Sequence, residues 1–96
     1  MSTFEELNAA TVAREAVERN IPAAERELAA ARAAHDEAWS RHGAEGTAES
    51  AQVFYAARDR LASAHARLNA AQAAHAPAKQ RELDAIIADV VAGYRR

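Results

Sequence analysis

The sequence predicts an all-α fold: a long antiparallel helical hairpin, an alanine-rich coiled coil, with a kinked or separate C-terminal amphipathic helix. Three observations carry this reading. Large residues recur every seven positions as Ile21, Leu28 and His35, interleaved with Val17, Ala24, Ala31 and Ala38. The same phase returns as Phe54, Leu61, Leu68 and His75, interleaved with Ala57, Ala64, Ala71 and Ala78. When the chain is folded back so that paired residue numbers add up to 92, Ala38 meets Phe54, His35 meets Ala57, Ala31 meets Leu61, Leu28 meets Ala64, Ala24 meets Leu68 and Ile21 meets Ala71. Large-opposite-small layers let two backbones approach near the lower end of the usual spacing of about 8–10 Å.

The elements follow in order within a single domain of residues 1–96. Ser2 and Thr3, each with a Glu three residues on, offer two overlapping capping boxes for a first helix over about 3–42. Glu15 with Arg19 and Glu37 with Arg41 support it as i,i+4 pairs. Pro22 falls inside it, but Val17, Ile21 and Ala24 hold the heptad phase across the proline, so a kink in one continuous helix is expected. Gly43, Gly46 and Thr47 make the turn, 43–47, and the midpoint of the pairing falls on residue 46. Thr47 caps a second helix over about 48–76, with Glu49 in its first turn. At Pro77 the apolar pattern slips by one residue, so a break or sharp kink is expected near 76–79, followed by a C-terminal helix over about 78–94.

That last segment is the richest in large apolar residues. Leu83, Ile86, Ile87, Val90, Val91 and Tyr94 form a full helical stripe, with Asp84, Asp89 and Arg95 off it. Because Pro77 and the slip turn the stripe away from the seam of residues 21–38, it is expected to dock on something else. Phe4, Leu7 and Val12 of the first helix are the local candidates and a second chain is the other.

Composition narrows the function classes. Half of the chain counts as hydrophobic, but 29 of those residues are alanine, and Leu, Ile, Val and Phe together number 15. The seam is therefore thin, and at about 25 cal/mol per Å² its alanine layers contribute little each. There is no cysteine, which removes disulfides and thiolate ligands. Residues 1–20 are charged throughout, so no signal peptide is expected. The longest uncharged run, Leu68 to Ala78, is too short for a bilayer, which needs about 20 apolar residues. A cytoplasmic or virion-associated location is the expectation.

No residue pattern points to catalysis or a cofactor. His35 and His75 occupy seam positions, yet the hairpin places them roughly 27 Å apart, too far for one metal. No His has a carboxylate three residues before it, and His42 and Glu45 lack a third ligand. Ser40 and His42 beside Asp36 and Glu37 come without an elbow motif, and the glycines at 43, 46 and 93 form no phosphate loop. Neither an enzyme nor a metal protein is expected. Arg58, Arg60 and Arg67 are interrupted by Asp59, and the net charge is −2, so nucleic acid is not an expected partner. Trp39, beside the turn and opposite Val53, Phe54 and Tyr55, either locks the tip or anchors a partner.

With length near 100 residues, a helical hairpin and Trp39 shortly before the turn, the chain resembles the WXG100 secreted proteins. The resemblance implies a secreted helical hairpin. The chain departs from the family's Trp-x-Gly in reading Trp39-Ser40-Arg41-His42-Gly43. The family's Tyr-x-x-x-Asp/Glu signal is matched only by Tyr55 and Asp59, within the second helix. The expectation is therefore a non-enzymatic structural or adaptor protein acting through helix-mediated contacts or self-assembly, of the sort found as a subunit of a phage or other large assembly. A homo-oligomer or a protein partner is expected at Leu83, Ile86, Ile87, Val90, Val91, Tyr94 and Trp39. A WXG100-like secreted hairpin and a small regulator that inhibits a protein partner are the alternatives.

Overall fold

The computed structural model describes residues 2–95 and consists of two α-helices, α1 over Thr3–Glu45 and α2 over Ala48–Tyr94. Each helix start is fixed by its cap. At α1 the Ser2 hydroxyl accepts from the Glu5 N–H at 3.2 Å, while the Ser2 N–H donates to Glu5 Oε2 at 3.3 Å. Of the two overlapping boxes, Ser2 with Glu5 is the one that closes. At α2, Thr47 Oγ1 accepts from the Ser50 N–H and Ser50 Oγ accepts from the Thr47 N–H, both at 3.0 Å. Serine thus takes the place usually held by Glu or Gln, and the buried hydroxyl is saturated by the Thr47 carbonyl and His42 Nδ1.

The turn is shorter than the sequence suggests. Gly43 stays helical, and α1 continues to Glu45, where Gly46 with φ 63° ends it. Its N–H returns to the His42 carbonyl at 2.8 Å, the single bond of an αL cap. Both prolines sit inside helices, Pro22 in α1 and Pro77 in α2. For Pro22 this is the continuous helix expected. For Pro77 it is a correction: no separate helix begins at 78, and α2 is one helix of 47 residues. Pro77 is exposed, as is Ala73, whose carbonyl loses its intrahelical donor, so water can supply the missing bond.

The chain divides into two compact units, one of Pro22–Ala70 and one of Met1–Ile21 with Ala71–Arg96. In the first, which holds the turn, the residues withdrawn from solvent on α1 include Ala24, Leu28, Ala31, His35, Ala38 and His42. On α2 they include Ser50, Phe54, Ala57, Leu61, Ala64 and Leu68. These are the sum-92 partners, and the 2.8 Å contact of His42 with Ser50 ties the last pair directly. Ala24, Ala31, Ala38, Ala57 and Ala64 are buried, while the larger residue opposite each is only half-buried. The bulky side chain lies over the alanine and keeps one edge in water.

The unit containing both termini keeps the same register with different chemistry. Its α2 seam is Ala71, His75, Ala78, Glu82, Ala85, Asp89 and Ala92, spaced alternately by four and three, each more covered than its helical neighbours. The α1 partners are Ile21, Val17, Arg14, Ala10, Leu7 and Thr3, and Thr3 Oγ1 donates to Asp89 Oδ1 at 3.0 Å. No slip of phase follows Pro77. The heptad continues through polar and small residues, and what leaves the seam is the apolar content.

Candidate functional site

The side chains that position the terminal unit are ionic. Arg14, at a seam position, donates through Nε to Glu82 Oε1 and through Nη1 to Glu18 Oε2, each at 2.8 Å. Glu18 also lies 3.3 Å from His75 Nε2. Arg14 and Glu82 are largely covered, at 22% and 17% side-chain exposure, so this cluster substitutes for an apolar layer between the helices. The hydrogen bonds to Glu82 and then Glu18 raise Arg14 above its usual pKa. In return Arg14 holds both carboxyls below the ordinary range, with His75 assisting at Glu18 and Thr11 at Glu82.

With the seam held this way, the stripe is carried outward. At about 100° per residue, its centre falls roughly 150° around α2 from the seam positions. Leu83, Ile86, Ile87, Val90, Val91 and Tyr94 are all exposed, from 41% at Ile86 to 89% at Tyr94. The local cover considered from the sequence does not close over it: Phe4 and Val12 are themselves exposed, and Leu7 is spent in the seam opposite Ala85. A shallow groove lined by Ala76, Lys79, Gln80, Glu82, Leu83 and Ile86 borders the stripe on one side. The six side chains form a contiguous apolar face that is left open to solvent.

The other aromatic feature belongs to the unit that holds the turn. Phe54 is the hub: Trp39, His35 and Tyr55 rings tilt against it at 5.1, 5.3 and 5.9 Å, and His42 stacks at 6.4 Å. Arg58 lies over the Tyr55 ring at 5.1 Å. Trp39 thus packs against Phe54 at the tip, as expected of a lock, and keeps 60% of its surface exposed. Nearby, Glu27 receives Arg60 through two contacts of 2.9 and 3.3 Å, which lowers the Glu27 pKa.

The four histidines are spent separately: His42 on Ser50, His75 on Glu18, His35 on Phe54 and Asp36, and His65 in solvent. Among the described residues no group of three or more His, Cys, Asp or Glu could hold a metal ion, and no helix is long and apolar enough to cross a membrane. Sequence reasoning located the stripe but missed the Arg14, Glu18, His75 and Glu82 cluster and the Thr3–Asp89 bond. The signal for both was present, since extending the heptad outward from Val17 and Ala78 lands on Arg14 and Glu82. Comparison with known proteins adds no relative, for no family model, curated protein or solved structure matches the chain.

Proposed function

We propose that this chain is a non-enzymatic structural or adaptor protein that works by helix-to-helix association through the outer face of its C-terminal segment. The observation that carries the proposal is an inversion of burial. The six largest apolar side chains of residues 71–95 face water, while the adjacent α2 seam holds Glu82, Asp89, His75 and alanines, met on α1 by Arg14 and Thr3 as well as by Leu7, Val17 and Ile21. Desolvating ionic groups inside a helix pair is unfavourable when apolar residues could take their place. The arrangement is reasonable when the apolar residues serve another surface. Trp39 is a second candidate anchor because it is exposed and Trp is enriched among the residues that carry most of an interface's binding energy. Assembly into a larger particle, phage or other, is the biological setting this reading suits.

The double substitution Ile87→Asp with Val90→Asp tests the proposal. It should abolish association, read by light scattering, while leaving far-ultraviolet circular dichroism helical. If the variant unfolds under conditions where the diluted native chain stays helical, the stripe is core and the proposal fails.

A further inference from the structure

Resting on that reading, we infer that the occupant of the stripe is a second copy of this chain, packed antiparallel about a two-fold axis between residues 88 and 89. The stripe is close to palindromic in size. Pairing residue numbers that add up to about 177 sets Leu83 against Tyr94 of the second copy, Ile86 against Val91 and Ile87 against Val90, and the reverse of each. All three kinds of layer join one larger and one complementary apolar side chain, with no polar residue intervening. The centre of the stripe, midway between Leu83 and Tyr94, is also the centre of this pairing, so no large residue is left over at either end.

Charge agrees with the same register. Asp84 and Arg95 lie on one flank of the stripe, about 90° and 110° from its centre at 100° per residue. In an antiparallel two-fold pair equivalent flanks meet. Asp84 then comes within about two residues, roughly 3 Å along the axis, of Arg95 of the second copy, and this happens twice. Among the described residues Asp84 bonds only Gln80 within its own chain, at 2.9 Å, which leaves carboxylate acceptor sites for the incoming guanidinium. In a parallel pair the same two residues would be about 16 Å apart and the ion pairs would not form.

Area supports a pair as well. From the exposed fractions of the six side chains, the face offers on the order of 600 Å² per copy, so about 1,200 Å² in the pair, the lower edge of stable interfaces. The uncharged Ile and Val layers match the apolar centre of a homodimer interface, with Tyr94 at either end.

The chain has no cysteine, which makes cross-linking decisive. Mixing the Leu83→Cys and Tyr94→Cys variants under mild oxidation should give the mixed disulfide between copies in large excess over either symmetric one. Sedimentation of the native chain at micromolar to submillimolar concentration should show a species of twice 10.3 kDa. Asp84→Arg should weaken association at least several-fold, and adding Arg95→Asp should restore it. A folded monomer at all these concentrations would overturn the second-copy inference while leaving the broader docking reading intact. Symmetric cross-links at 83 or 94, or a charge swap that fails to rescue, would overturn the antiparallel pairing. Unfolding of Ile87→Asp with Val90→Asp under conditions where the native monomer is helical would overturn both.

Discussion

Arg14 is the residue on which the terminal unit turns. Its guanidinium bridges Glu82 on α2 and Glu18 on its own helix, with 2.8 Å contacts to each. Without it, Glu82 faces Glu18 with no intervening cation. Arg14→Ala is therefore expected to lower the melting temperature clearly more than Arg19→Ala on the exposed surface, and equal effects would show the cluster to be ornamental. The pH dependence has a definite sign. Glu18, Glu27 and Glu82 have folded pKa values below the ordinary 4.5, so their contribution is complete above that value and is lost as pH falls through the lowered ones. The melting temperature should be flat from neutrality to about pH 5 and fall below that, and Glu82→Gln should flatten the acid limb. A decline that begins well above about pH 5 would show that these carboxyls do not govern the acid limb. At the turn, Ser50→Ala removes half of a reciprocal cap and the partner of His42, which should cost about 1 kcal/mol in urea denaturation.

At the scale of the helix, the register depends on alanine. Ala64 is 3% exposed and lies opposite Leu28 in the sum-92 pairing, so a second large side chain has no room there. Ala64→Leu should destabilise by about 1–3 kcal/mol, whereas the same change at exposed Ala62 should be nearly neutral. Pro77 poses the opposite case. It lies within a continuous α2, where it removes a donor and crowds the preceding turn, so the helix persists despite the residue. Pro77→Ala should stabilise the chain by about 2 kcal/mol, and a neutral or negative result would mean that the proline shapes α2 in a way packing exploits.

For the whole molecule, the balance between seam and surface sets the behaviour. Among the described residues no large side chain is fully buried, and the fully covered positions are alanines and Ser50. Such a monomer has little apolar burial to offset chain entropy, so association through the stripe should contribute visibly to stability. The melting temperature is expected to rise with chain concentration and to lose that dependence in the Ile87→Asp, Val90→Asp variant. A melting temperature independent of concentration in the native chain would argue that the exposed stripe carries no partner of its own kind.

By itself the sequence determined the helical hairpin, the place of its turn at Gly46 and Thr47, and the register of residues 22–70, because each rests on local chemistry repeated many times. Alanine propensity, the seven-residue recurrence, Gly46 and the Thr47 cap all act within a few residues, and the sum-92 pairing repeats over layer after layer. It also marked Leu83, Ile86, Ile87, Val90, Val91 and Tyr94 as one face. Which face α2 turns inward past Pro77 was decided only in three dimensions. Read along the chain, the densest apolar stripe implies a slip of phase and a new helix, since hydrophobicity is the signal that periodicity analysis follows. In the folded unit α2 stays continuous through Pro77, and Ala71, His75 and Ala78 carry its phase forward. Glu82 and Asp89 then arrive where Arg14 and Thr3 can satisfy them. That satisfaction depends on partners 68 and 86 residues away, a separation at which no local pattern can show that a charge belongs inside and a leucine outside.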